Sequence, residues 1–336
     1  MLEAILKLSR RQDLTVEESR AAMTEIMEGR ASPAQMAAFL VALAMKGHTS
    51  DEVTGAAMVM REKATRIDPG GRTVVDTCGT GGDHSGTFNI STASALVAAG
   101  AGVAVAKHGN RSSTSKSGSS DVLEALGVNL NVSPETVSRC IREAGIGFLF
   151  APLLHGAMKH AVPVRKELGI RTVFNVLGPL TNPAGARRQV MGVFDVHLVE
   201  LIARVLQNLG AEHAMVVHGT DGLDEITLSG ATRVAEVRPD SIDLYELTPE
   251  QFGMSAHDVA DLRVDSPQAS AEIIRGVLAG RRGPARDIVV LNSAAAIYVG
   301  GVAASLEEGV QKAAQSIDSG AAAKALARLV DLTRNA

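Results

Sequence analysis

Three short stretches of this chain hold residue types that bind anions and hard cations. The first is Asp76-Thr77-Cys78-Gly79-Thr80-Gly81-Gly82-Asp83, with Asn89-Ile90-Ser91-Thr92 close behind. Its glycines allow a tight turn whose backbone N–H groups approach a ligand, and Asp83, Thr87, Asn89, Ser91 and Thr92 add polar contacts. It is not a dinucleotide fingerprint, because the third glycine of Gly-x-Gly-x-x-Gly is missing, and no Gly-Lys-Ser/Thr makes it a P-loop. The second is Lys107-His108-Gly109-Asn110-Arg111, which runs through Ser112, Ser113, Thr114, Ser115, Lys116, Ser117 and Ser119 to Asp121. Cations and small hydroxyl donors at this density suit an anion. The third, His218-Gly219-Thr220-Asp221-Gly222-Leu223-Asp224-Glu225, ends in adjacent carboxylates of the kind that hold magnesium together with substrate phosphates. Taken singly, each stretch also reads as a capped turn or a solvated loop. Taken together, they point to a phosphorylated ligand held with a divalent cation.

The elements that must position these stretches follow from periodicity. From Thr73 onward, short β-type runs alternate with helical patterns. Val74-Val75 precedes the first stretch and Val103 to Ala106 the second, while Gly147 to Phe150, Val190 to Phe194 and Met215 to His218 read as further buried strands. Amphipathic segments lie between them: Ser120 to Leu126, Pro134 to Ala144 and Leu198 to Leu209. Such alternation predicts an α/β domain with a mostly parallel central sheet flanked by helices and ligands at the carboxyl ends of the strands. Thr232 to Leu247 reads as a β-rich excursion, and helical patterning returns after Pro267, ending with Ala321 to Leu332.

Before residue 66 the spacing is helical: Ile5 and Leu6; Ala22, Met23, Ile26 and Met27; Met36, Phe39, Leu40 and Leu43; Val53, Ala56 and Met60. Thr15 with Glu18, Ser32 with Pro33 and Gln35, and Thr49 with Glu52 mark helix starts with capping-box spacing. A small α-helical domain of about four helices over 1–66 and a large α/β domain over 67–336 are expected.

Composition narrows the partners. With 336 residues, 46% of them hydrophobic, the chain can bury a substantial core. A net charge of −4 and 3% aromatic residues, with no Trp, argue against nucleic acid as a ligand. The charged N-terminus, with Glu3, Lys7, Arg10, Arg11 and Asp13, is unlike a signal peptide, and the long apolar stretch Ala93 to Ala106 is too rich in Ala and Gly for a membrane span. Cys78 and Cys140 form neither a disulfide framework nor a zinc motif, and a soluble cytoplasmic protein is expected.

Several strings, in order along nearly the whole chain, resemble anthranilate phosphoribosyltransferase: Gly79 to Asp83, Asn89 to Thr92, Lys107 to Arg111, Ser115 to Gly118, Pro163 to Gly169, Arg171-Thr172, Phe174-Asn175, Leu177 to Leu180, Asn182-Pro183 and Asp221 to Glu225. The resemblance implies a helical domain completed by a middle segment near 160–185, and a homodimer associating through that helical part. It also implies transfer of the phosphoribosyl group of phosphoribosyl pyrophosphate (PRPP) to the amino group of anthranilate in tryptophan biosynthesis, with two magnesium ions in each subunit. By the same resemblance, Gly79, Gly82, Asp83, Thr87, Asn89, Ile90, Ser91 and Thr92 meet PRPP from one side. Lys107, His108, Gly109, Asn110, Arg111, Ser112, Ser113, Thr114, Ser115 and Ser119 meet it from the other. Gly79, Asn110 and Arg165 face anthranilate, and Ser91, Asp224 and Glu225 serve the metal.

The chemistry agrees with these assignments. Anthranilate's arylamine is neutral near pH 7, so no strong general base is required, and departure of the leaving group is the difficult part. Lys107 is expected to give electrostatic support, and Arg165 to pair with a carboxylate. His108 and His155 are expected to line the pocket, and Cys78 to be a packed thiol rather than a nucleophile. The sequence departs from the family pattern at Ser113, Thr114 and Gly156; Gly156 is expected to loosen the start of a helix carrying Met158 and Arg165. Two alternatives remain at this point: a pyrimidine nucleoside phosphorylase, which needs no Asp224-Glu225 pair, and a non-catalytic nucleic-acid-binding relative.

Overall fold

All three capping boxes form, and they set the starts of three of the first four helices. A computed structural model describes residues 1–111 and 117–336. Helices α1 (Leu2–Ser9), α2 (Val16–Met27), α3 (Pro33–Lys46) and α4 (Ser50–Lys63) make the N-terminal bundle. Thr15, Ser32 and Thr49 each accept the N–H of the residue three positions on, and Glu18, Gln35 and Glu52 reach back to the cap N–H. Glu52 has a second role. Its side chain is fully buried and also accepts the Leu14 N–H at 3.0 Å and the Lys46 ammonium at 3.1 Å, which fixes the entry to α2 against α4. Met23, Ile26, Met36, Phe39, Leu40, Leu43 and Val53 form the bundle core. Contrary to the sequence pattern, α1 buries Ala4 and Leu8 and leaves Leu6 55% exposed.

The bundle is completed from far along the chain. Ala161, Val164, Val173, Phe174, Val176, Leu177 and Leu180 join the same core. Arg61 of α4 seals the junction by donating to the carbonyls of Leu180 at 2.6 Å and Leu209 at 3.3 Å. The turn Gly156–His160 and the helix Val162–Leu168 are separate elements, so Met158 and Arg165 do not share a helix as expected. Pro163, at the second position of the later helix, favours a fresh start there.

Among the described residues, seven strands form one sheet: β1 (Val74–Asp76), β2 (Ala104–Gly109), β3 (Ile146–Phe150), β4 (Arg188–Gly192), β5 (His213–Gly219), β6 (Thr232–Val237) and β7 (Ile242–Leu247). Their order is β3-β2-β1-β4-β5-β6-β7; the first five run parallel, and β6 and β7 add antiparallel edges. Both faces are covered, as a parallel sheet requires. Val190, Met215 and Val217 pack with α5 (Ile90–Gly100) and the helix Pro284–Val299, whereas Met191, Ala214 and Val216 pack with the helix Leu198–Asn208 and the bundle. Strand β1 has β2 on one side and β4 on the other, so the chain changes direction across the sheet there. That switch point opens a crevice beyond the carboxyl ends of the strands.

Strand β2 extends further than expected. Lys107 and His108 pair in register with Phe148 and Leu149 of β3, so both belong to the strand and not to the loop after it. Pairing on both sides of β2 leaves its backbone no solvent-facing edge, and the strand continues until Gly109.

Candidate active site

The first and third stretches meet at the ends of β1, β4 and β5. The N–H of Gly81 donates to the Asp224 carboxylate at 2.8 Å, and the N–H of Thr80 donates to the Gly192 carbonyl at 2.9 Å. Phe194 N–H returns to Thr80 Oγ1 at 3.1 Å. This approach needs glycine at two positions. A Cβ on Gly192 would lie 1.5 Å from the Asp224 carbonyl oxygen, and one on Gly79 would lie 2.9 Å from Asp224 Oδ2.

Helix α5 supplies the floor. Asn89 caps it by accepting Thr92 N–H at 3.0 Å, and its own amide donates to the Ser117 carbonyl at 3.0 Å, which ties the first stretch to the far end of the second. Ile90 opens the helix and is buried, and the Ser91 backbone partly offsets the raised pKa of the Glu225 carboxylate. A carboxylate at a helix N-terminus is favourably placed. Thr87, which pairs through its backbone with Arg263, sets the approach to the cap.

Lys107 lies beneath this floor, 2% exposed. Its ammonium donates to the Thr77 carbonyl at 2.8 Å, to Ser91 Oγ at 3.1 Å and to Thr77 Oγ1 at 3.4 Å, so it pins the first stretch to α5. Burial pulls its pKa down, against the opposing pull of Asp76, Glu225 and Asp224. The acids respond in the other direction. Burial, then the neighbouring Asp83, pushes Asp224 up to about 7, and burial, then Asp224, holds Glu225 well above the usual carboxylate range. Asp83, Asp224 and Glu225 are half-buried carboxylates whose mutual repulsion adds to burial in raising Asp224 and Glu225, and their hard oxygens fit a cation such as magnesium.

A different trio, Asp76, Cys78 and His108, lies within ligating distance of one another but does not suit an ion. The Asp76 carboxylate already accepts His108 N–H at 3.1 Å and Asn182 Nδ2 at 2.7 Å, and burial pushes the Cys78 thiol up, which leaves it protonated. His108 Nδ1 faces the Gly178 carbonyl at 3.1 Å and therefore carries the proton. Its Nε2 is then the acceptor for His155 Nε2, 3.1 Å away. Burial pulls His108 down to about 3 and His155 to about 4, so both rings are neutral. Buried and neutral, neither ring is poised to act as an acid or a base near pH 7.

The second stretch is described only at its ends, and Ser112, Ser113, Thr114 and Ser115 lie outside the described residues. Gly109 ends β2 where a Cβ would meet Ser119 Oγ at 2.4 Å and the Phe148 ring at 2.6 Å. Asn110 is exposed, and its carbonyl accepts Ser119 Oγ at 3.4 Å. Arg111 is committed elsewhere: its guanidinium bonds Asp121 at 2.7 Å and Glu124 at 2.8 and 3.0 Å on α6 (Ser119–Leu126). Arg165 has its guanidinium 5.0 Å over the Phe174 ring and, among the described residues, no carboxylate partner. Burial pulls its pKa down, so a carboxylate arriving there would pair with a poorly hydrated cation. Among the described residues, a Cβ on Gly156 would meet no neighbour within 4 Å.

Residues 71–323 match the family described as "Glycosyl transferase family, a/b domain", and residues 2–64 match its "helical bundle domain". The anthranilate phosphoribosyltransferase of Thioalkalivibrio sulfidiphilus is 59% identical over 333 residues, which cover 99% of this chain and 98% of that protein. The chain belongs to the anthranilate phosphoribosyltransferases. Two solved members of that family superpose along the whole length. The crystal structure of anthranilate phosphoribosyltransferase from Thermus thermophilus gives a TM-score of 0.93 at 45% identity, covering 98% of this chain and 99% of that one. The Saccharomyces cerevisiae anthranilate phosphoribosyltransferase, solved in complex with PRPP and Mg, gives 0.89 at 29% identity, covering 100% and 98%. Family membership decides against the phosphorylase and nucleic-acid readings. Within this phosphoribosyltransferase site, sequence reasoning missed two residues: Gly192, which admits the Asp224 backbone, and Arg171, which donates to the Gly82 carbonyl at 2.6 Å. Neither lies in a stretch whose composition announces chemistry; Gly192 sits within an apolar run, and Arg171 stands out only as part of a family string.

Proposed function

We propose that this site joins C1 of the phosphoribosyl group of PRPP to the amino nitrogen of anthranilate and releases pyrophosphate. The C1–O bond breaks with its electron pair leaving on pyrophosphate, the arylamine lone pair forms the C1–N bond, and the nitrogen sheds one proton to solvent. The observation that carries this reading is the half-buried Asp224 carboxylate bonded directly to the Gly-rich loop beside Asp83 and Glu225, an arrangement suited to a cation and a polyanion together. Ser91, Asp224 and Glu225 would hold magnesium, with two ions in each subunit. When bound, magnesium supplies charge stabilisation for the departing pyrophosphate. Gly79, Gly82, Asp83, Thr87 and the α5 N-terminus (Asn89 to Thr92) orient PRPP, and Lys107 adds positive potential from beneath. Asn110 and Ser119 would meet PRPP from the other side. Arg165 receives the anthranilate carboxylate, with Gly79 and Asn110 beside the amine. No residue is needed as general base.

The same reading includes a helical domain over 1–66 with its middle segment near 160–185, an α/β domain over 67–336, and a homodimer. Leu2, Leu6 and Met45, exposed at 64%, 55% and 75% on α1 and α3, support pairing through the helical part. Among the described residues no helix is long and apolar enough to cross a membrane, and the free thiols Cys78 and Cys140 suit a reducing cytoplasm. The test is a split in kinetics. Arg165→Ala should raise the anthranilate KM at least roughly tenfold with little change for PRPP, whereas Asp224→Ala with Glu225→Ala should change the magnesium dependence. Equal effects of Arg165→Ala on both substrates would overturn its assignment.

A further inference from the structure

Arg171 is an exposed arginine that reaches from the middle segment to the tip of the first Gly-rich loop. Its Nη2 donates to the Gly82 carbonyl at 2.6 Å and lies 3.3 Å from His84 Nε2. The guanidinium stacks 4.0 Å above the centre of the Phe194 ring. Phe194 in turn donates its N–H to Thr80 Oγ1, and Thr80 donates its own N–H to the Gly192 carbonyl. Thr80, Phe194, Arg171 and Gly82 therefore close a circuit that joins the loop, the end of β4 and the segment carrying Arg165. The loop inside that circuit is wound unusually. Gly81, Gly82 and His84 have φ of 63°, 79° and 58°, and an unsupported backbone would not favour three left-handed residues in four, one of them a histidine.

The peptide geometry says what the contact accomplishes. In a trans peptide the carbonyl of one residue and the N–H of the next point in opposite directions. When Arg171 draws the Gly82 carbonyl outward, it turns the Asp83 N–H the other way, and that N–H has no protein acceptor among the described residues. We propose that Arg171 is a positioning residue for PRPP, which acts through the Gly82–Asp83 peptide to aim the Asp83 N–H at the pyrophosphate. Phe194 is the platform that holds the guanidinium flat for this contact. Arg171 lies six residues after Arg165, so the segment on which Arg165 sits also holds the loop proposed for PRPP.

This inference rests on the reading of the site given above, and the experiment separates the two. PRPP binding with magnesium is measured by titration calorimetry, and KM for both substrates by anthranilate fluorescence, for the full-length protein and for Arg171→Met, Arg171→Lys and Phe194→Leu. Absence of turnover by the unsubstituted protein would overturn the underlying reading. If that protein turns over, Arg171→Met, which keeps an apolar stem on Phe194 and loses the donor, should weaken PRPP binding about tenfold and leave the anthranilate KM within about twofold, in line with loss of one charge-assisted hydrogen bond. Arg171→Lys, which can still donate to the Gly82 carbonyl, should recover part of that loss. Phe194→Leu should weaken PRPP binding in the same direction by a smaller factor. Arg171→Met binding PRPP like the unsubstituted protein, or raising both KM values equally, would overturn the proposal, as would Arg171→Lys being no better than Arg171→Met.

Discussion

Replacing Asp224 by asparagine should make the ligand-free protein more stable while it damages the site. The carboxylate is held at about 7 by burial and Asp83, against 3.8 when unperturbed. The folded pKa is raised, so the folded chain binds the extra proton between those values, and Asp224 lowers stability as pH rises from about 4 through about 7. At about 1.36 kcal/mol per pK unit, the full shift corresponds to about 4 kcal/mol above pH 7. Asp224 is only half-buried by exposed area, so solvent reduces this to about 2 kcal/mol. An asparagine side chain there would keep an oxygen for the Gly81 N–H and gain an amide that can donate to Asp83. With about 2.1 cal/mol/K of unfolding entropy per residue, 336 residues give about 0.7 kcal/mol/K, so the gain in Tm is about 3 °C at pH 8. It should fall by more than half at pH 5, where the native carboxyl is already protonated. Thermal unfolding of metal-free protein at both pH values reads this directly. A lower Tm for Asp224→Asn at pH 8, or the same difference at pH 5 and pH 8, would refute the electrostatic account of the acid cluster.

The other expectations concern the scaffold. Glu52→Gln removes one partner of a buried ion pair that also receives two backbone N–H groups, and should cost about 3 kcal/mol, or about 4 °C in Tm, with little change in kcat while folded. An unchanged Tm would show that Glu52 is not the keystone of the bundle. Gly192→Ala puts a Cβ 1.5 Å from the Asp224 carbonyl oxygen and should lower kcat/KM by more than about tenfold in protein that circular dichroism shows to be folded. Near-normal activity would mean that the third stretch can retreat without harm.

The mostly parallel sheet and the bundle were legible because each rests on local signals. Period and capping boxes are properties of a few adjacent residues, and the boxes at Thr15, Ser32 and Thr49 all form. Where strand pairing decides, local signals give out: Lys107 and His108 look like loop residues because charge and imidazole are unusual in a buried strand, yet β3 pairs with both. Leu6 fits a helical stripe but faces outward, because α1 is short and packs on Ala4 and Leu8. The site residues that composition advertises, such as Asp224 beside Gly81, do meet, but their contact spans 143 positions and no spacing rule anticipates it. Arg171 on Gly82, and Glu236 receiving His213, Tyr245 and Tyr298, are likewise products of topology alone.

In the function proposed for this chain, Asp224, Glu225, the first Gly-rich loop and Arg165 would serve one site for PRPP and anthranilate. The most direct measurement is loss of anthranilate fluorescence on mixing the folded protein with PRPP, with and without magnesium. The expected result is turnover that needs both PRPP and the cation and that yields one pyrophosphate for each anthranilate consumed. Folded protein that leaves anthranilate fluorescence unchanged with all components present would contradict it.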